Sequence, residues 1–266
     1  MIKIKTKEEI ELMRQGGKIL ASVLSLVAKK IKPGVTTQSL NDLAEELIFG
    51  YGALPAFKGH DNYPAALCVS VNEQIVHGVP SGRKLFKGDI VGLDLGIIWP
   101  PENCSHCTMN NGCSSQRGMF TDAAITVSVG KISQEAEKII KTAKGALQAA
   151  IEQVKSGRKL SEVSSAIEDY AKKQGFSVIR ELVGHGVGYE LHEEPDIPNF
   201  KASWMKDSVL KEGMTLAIEP MISAGTYKIK KSKDKHAYET ADNSLSSHFE
   251  HTVVVTKKGC EVLTKL

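Results

Sequence analysis

Two stretches of this chain, more than a hundred residues apart, repeat one another, and this constrains the fold more than any other feature. Ile31-Lys32-Pro33-Gly34 aligns without a gap on Val154-Lys155-Ser156-Gly157, and the same offset of 123 residues carries Gly52 onto Gly175. Leu85–Asp94 (LFKGDIVGLD) aligns with Leu210–Glu219 (LKEGMTLAIE) at an offset of 125, and Met119–Gly130 with Ser247–Lys258 at 128. The surrounding pattern recurs too. Thr6 and Glu9 form a capping box before a helix predicted to run to about Lys30, and a second helix follows with Leu40, Leu43, Ala44, Leu47 and Ile48 on one face. Later, Ser133 caps a helix carrying Ile139, Ile140, Ala143 and Leu147, followed by Ser161–Gln174. Period-2 alternation predicts strands in Asp89–Ile98 and Glu250–Val255. The expectation is an α/β (α+β) fold in one domain over residues 1–266. Its halves, roughly 1–130 and 131–266, are related by a pseudo-twofold axis, with sheets inside and helices outside.

The strand matches place an acidic residue inside an apolar run four times. They set Asp94 opposite Glu219 and Asp122 opposite Glu250. Carboxylates are seldom buried unless paired or bound to a cation. Four at symmetry-related positions would repel one another strongly without compensating positive charge. Two divalent cations about 3.5–4 Å apart supply it, activating a water and polarising a carbonyl. Val183-Gly184-His185-Gly186-Val187-Gly188 offers an imidazole ligand, with flanking glycines that let backbone and metal approach closely. Further histidines stand in Leu191-His192-Glu193-Glu194-Pro195 and Val76-His77-Gly78-Val79-Pro80. His251 falls on the opposite strand face from Glu250 and reads as structural, while His60, His106, His236 and His248 carry no independent signal.

Composition excludes little but excludes it clearly. With 41% hydrophobic and 24% charged residues the chain is an ordinary globular one, and a net charge of +3 gives no basis for nucleic-acid binding as a main role. Charged residues from Lys3 onward argue against a signal peptide, and the run Ile90–Trp99 is too short to span a bilayer. Five cysteines do not suggest a secreted disulfide framework, so the cytoplasm is the expected compartment.

HGVP, GHGVGxxLHEEP, AIEPMI and FEHTVVVT, in that order and spread over nearly the whole chain, resemble the signatures of type I methionine aminopeptidases. The resemblance implies the pita-bread fold around a dinuclear centre of Co, Mn, Fe(II) or a similar ion. It implies that Asp94 chelates one metal, that Asp122 and Glu250 bridge both, and that His185 and Glu219 complete the other. A hydroxide bridging the metals would attack the carbonyl, with Glu219 as proton shuttle, while His77 and His192 hold the substrate amide and the tetrahedral intermediate. Tyr63, Cys68 and Leu191 correspond to walls of the methionine pocket. The implied substrate is the initiator methionine of nascent proteins, with a small second residue preferred. By that preference the bulky Ile2 would leave this chain's own Met1 in place. One site per pseudo-symmetric chain makes a monomer sufficient.

The sequence departs from the family pattern in two ways. Leu191 stands where an aromatic is common, and His236 falls near where many bacterial members of the family place a tryptophan. Asp94 and Asp122 are also separated by an apparent loop insertion, residues 99–119. Cys104, Cys107 and Cys113, with His106 or a water as fourth ligand, offer the donor types of a structural zinc site. Their spacing is not the paired CxxC arrangement, so a reduced surface loop or an opportunistic disulfide is the expected state. The basic run Lys228–Lys235 could make a weak contact with ribosomal RNA. Two alternatives stay open: a proline-specific aminopeptidase of the same fold, and a metal-free pita-bread protein that binds ribosomes or RNA.

Overall fold

The computed structural model describes residues 2–101, 118–204 and 207–265. The cysteine-bearing insertion around Cys104, His106, Cys107 and Cys113 lies outside the described residues. Helix α1 (Lys7–Ala28) starts at the expected capping box: Thr6 Oγ1 accepts from the Glu9 N–H, and the Glu9 carboxylate accepts from the Thr6 N–H. Helix α2 (Thr37–Gly50) is capped by Thr36, and α3 (Gln134–Ile151) by Ser133. Helix α4 (Leu160–Lys173) begins one residue before the predicted start. Each helix pair closes one core: Leu20, Val23, Leu40 and Ile48 pack on Leu67, Val69, Leu93 and Leu95, while Ile139, Leu147, Val163 and Ile167 pack on Leu216, Ile218 and Val253.

The sheets lie between these helix layers. In the first half, Ile90–Trp99 pairs antiparallel with Met119–Ser128 along its whole length, and with Leu54–Pro55 and Leu67–Val71 on its other edge. In the second half, five antiparallel strands run in the order Glu193–Pro198, Val183–Gly186, Thr215–Ile218, His251–Val255, Cys260–Val262. The predicted alternation in the first strand is absent as burial. Ile90–Trp99 is buried at eight of its ten positions, because helices cover one face and the opposing half covers the other.

The backbone carries the repeat. Gly34 and Gly157 both have φ near 90°, and their N–H groups donate to Leu85 and Leu210 at 2.8 and 2.9 Å. Isolated bridges join Thr36 to Lys84 and Lys159 to Val209 at the matching places. Where the halves meet, however, the register differs from the expected one. Thr252 Oγ1 accepts the Asp122 N–H (2.9 Å) and donates to its carbonyl (2.8 Å). Thr126 Oγ1 does the same to His248, at 3.0 and 2.7 Å. Between them the Glu250 N–H donates to the Ala124 carbonyl at 2.8 Å. The dyad therefore relates Thr126 to Thr252, Ala124 to Glu250 and Asp122 to His248, an offset of 126 residues rather than 128. A slip of two residues leaves every side chain on its original face, so hydrophobic alternation cannot distinguish these registers.

Candidate metal centre

Five side chains converge where the halves meet, each from a different strand or strand end. Asp94 projects from the middle of Ile90–Trp99, opposite Cys68 and Ala124, and Asp122 from the neighbouring strand. His185 lies in Val183–Gly186, Glu219 directly follows Thr215–Ile218, and Glu250 directly precedes His251–Val255. Asp122, His185 and Glu250 bring ligand atoms within 4.8 Å of one another. His185 Nε2 is 3.5 Å from Glu219 Oε1 and 3.9 Å from Asp122 Oδ2. Asp94 lines the same cavity. The structure thus gathers all five predicted ligands, although Asp122 and Glu250 are not dyad mates. The two residues are diagonal neighbours on adjacent strands, Asp122 standing against Thr252 and Glu250 against Ala124.

The chemistry of the donor set fits cations. Asp94 Oδ1, Asp122 Oδ1 and Glu250 Oε1 are buried with no hydrogen-bond partner among the described residues. Such oxygens are costly unless something else satisfies them. Burial, followed by mutual repulsion, pushes the carboxyls of Asp94, Glu219 and Glu250 well above the usual range, and burial raises Asp122 as well. Burial likewise holds His185 down to about 3, so its ring is neutral. The His185 Nδ1 lies 2.9 Å from the Gly186 carbonyl; donating there leaves the Nε2 lone pair aimed at the carboxylates.

Above the carboxylates is a cavity of about 340 Å³. Tyr63, Cys68 and Leu191 line it and join Phe57, Ala65 and Ile98 in one apolar cluster. Tyr63 is fixed by donation from its hydroxyl to the Gly78 carbonyl at 2.8 Å. His77, at φ 60°, and His192 both line the cavity; the His192 ring stands edge-on to His185 at 4.4 Å, and His77 edge-on to Tyr238 at 6.0 Å. Burial lowers both imidazoles, His77 to about 4. His251 turns away from this cavity, its Nδ1 lying 2.9 Å from Thr264 Oγ1.

Sequence reasoning missed Phe57, His60 and His248, and read His236 only as a departure from the family pattern. Phe57 fits beside Gly96, where a Cβ would come within 2.7 Å of its ring, so the glycine was the available signal. His60 and His236 sit at the cavity mouth in edge-on contact with His192 and Tyr63. Lys231 and Lys235 of the basic run also line the mouth, and Lys231 lies over the Tyr238 ring at 4.5 Å, so that run is not simply solvated.

Residues 11–257 match the family model for metallopeptidase family M24. The methionine aminopeptidase of Clostridium perfringens is 42% identical over 264 residues, covering 99% of both chains. The chain belongs to metallopeptidase family M24, among its methionine aminopeptidases. Methionine aminopeptidase 1 of Bacillus subtilis is 39% identical over 266 residues, covering 100% of each chain. The crystal structure of the Thermotoga maritima methionine aminopeptidase superimposes with a TM-score of 0.90 at 41% identity, again covering 100% of both. The fold is accordingly the pita-bread fold, and the chain is a metal-dependent hydrolase. Among the described residues no helix is long and apolar enough to cross a membrane.

Proposed function

We propose that the chain removes the initiator methionine from nascent proteins, with Asp94, Asp122, His185, Glu219 and Glu250 holding two divalent ions. Bound there, such a pair supplies a nucleophilic water at neutral pH and polarises the scissile carbonyl. Tyr63, Cys68, Leu191 and Phe57 receive the methionine side chain, whose flexible thioether suits a pocket walled by aromatic and thiol groups. His77 and His192 are neutral donors in the cavity wall, and hold the amide and the oxyanion. Glu219, which lines the cavity, takes and returns the proton that passes from water to the leaving amine. A small second residue, action in the cytoplasm, a monomeric enzyme and a weak ribosome contact through Lys228–Lys235 belong to the same reading. Salt-independent ribosome cosedimentation would remove the last of these.

The observation that carries the proposal is the set of buried carboxylate oxygens without partners among the described residues, in a cavity whose wall includes the apolar cluster of Phe57, Tyr63, Cys68 and Leu191. The test compares Met-Ala-initiated and Xaa-Pro-initiated peptides with metal, after chelation, and with Glu219→Ala. Met-Ala turnover should stop on chelation and return with added Mn²⁺. Glu219→Ala should lower it by a factor on the order of 10²–10⁴. Turnover of the Xaa-Pro peptide alone would sink the assignment.

A further inference from the structure

His248 ends the strand Ser246–His248 and is 2% exposed. Its backbone is held at both polar groups by Thr126 Oγ1, so the position of the ring is fixed from the sheet. The ring reaches Glu219: His248 Nε2 lies 3.4 Å from Glu219 Oε2. That nitrogen makes no hydrogen bond among the described residues. The other oxygen of the same carboxylate, Oε1, lies 3.5 Å from His185 Nε2. Glu219 is thus flanked by two imidazoles, but only His185 and Glu219 border the cavity, and His248 stands behind them.

A buried imidazole nitrogen with nothing to bond is costly, and few native structures leave one so. A small rotation of the Glu219 carboxylate would satisfy it. The other oxygen, Oε1, lies on the side of His185, and both residues line the cavity. Residues that orient a ligand in this way are a regular part of metal sites, and their loss costs metal affinity although they touch no metal. The dyad gives the arrangement a second support. His248 occupies the place that Asp122 holds in the first half, so one half uses the position for a carboxylate in the site and the other for a donor behind it.

We propose that His248 is a positioning residue for Glu219, its Nε2–H holding Oε2 so that Oε1 is presented to the metal site. This rests on the reading of Glu219 as a metal ligand, and the experiment separates the two. Mn²⁺ binding to the metal-free protein is measured by titration calorimetry for the parent, His248→Leu, His248→Gln and Glu219→Gln, alongside kcat and KM for a Met-Ala peptide. Removing the donor in His248→Leu should weaken Mn²⁺ binding roughly 10–100-fold and lower kcat more than it changes KM. The glutamine amide can donate from nearly the same place, so His248→Gln should stay within about threefold of the parent. If the leucine variant does not fold, His248→Asn, too short to reach Oε2, replaces it with the same expected loss. Parent-like Mn²⁺ affinity in the donor-less variant, with Glu219→Gln impaired, would overturn the positioning role alone. A glutamine variant as weak as the leucine one would show that the ring only fills space. Parent-like affinity in Glu219→Gln would overturn the metal-site reading and the proposal with it.

Discussion

The glycines around His185 are needed for a different reason from the one their motif suggests. A Cβ on Gly186 would stand 2.3 Å from the Glu194 carbonyl oxygen, and one on Gly184 would stand 2.6 Å from the Ala217 carbonyl. The close approach is to the two neighbouring strands. Backbone atoms cannot swing aside as a side chain can, so Gly186→Ala should pry Glu193–Pro198 from Val183–Gly186. An expected loss of about 1–3 kcal/mol is that of an overpacked interior. Gly92→Ala is the control: its Cβ would meet Ser70 at an ordinary 3.6 Å, and it should leave stability unchanged or raise it by about 0.4–1 kcal/mol. Urea unfolding of both variants checks the pair, and equal behaviour would refute the argument. The same contrast sets the limit of legibility at this scale. Asp94, Asp122, Glu219 and Glu250 could be read because a carboxylate in an apolar strand needs a reason. His248 could not, since its relation to Glu219 depends on a register that alternation leaves open by two residues. Phe57 is one more aromatic until Gly96 is placed beneath it.

At the level of elements, caps made the helices readable to within a residue or two, because the starts of α1 and α3 are written locally in Thr6 and Ser133. What is not local stayed hidden. Lys5 Nζ lies 2.6 Å from Glu193 Oε2, a bridge across 188 residues whose side chains are 1% and 4% exposed. The other oxygen of Glu193 accepts from the N–H groups of Tyr189 and Glu190. The segment before α1, itself tied by the Lys5 N–H to the Gly213 carbonyl, thus clamps the turn that carries Leu191 and His192 to the cavity. Taking away one partner of a buried pair strands the other charge. Lys5→Met should therefore cost about 3–5 kcal/mol in urea unfolding. It should also raise KM for a Met-Ala peptide more than it lowers kcat, since the turn shapes the pocket. An unchanged KM in a folded Lys5→Met protein would show that the turn holds its form without the clamp.

For the whole molecule, the buried titratable groups fix how stability depends on pH, and the two kinds work in opposite directions. His77, His185, His248 and His251 are lowered to between about 3 and 4 by burial, and His192 is lowered as well. Between those values and an unfolded pKa of about 6.5 the unfolded chain binds more protons, so these groups add stability as pH rises and stop contributing near 6.5. Asp94, Asp122, Glu219 and Glu250 are raised by burial. From their unfolded values of about 4 upward the folded protein binds more protons, so they remove stability as pH rises, and they continue to do so above 6.5. With no metal the two sets largely offset each other in mildly acid solution. Above about pH 6.5 only the carboxyl set remains, and stability falls. Divalent cations compensate the ionised carboxylates and should abolish that fall, because binding to the folded state alone stabilises it in proportion to occupancy. Calorimetric Tm from pH 5 to 8, with chelator and with excess Mn²⁺, should therefore show curves that diverge above pH 6.5, the metal-free one descending. A metal-free Tm that climbed steadily to pH 8 would mean that the four carboxyls are not held as a charge-deficient cluster, and the case for a cation pair at the dyad would fail with it.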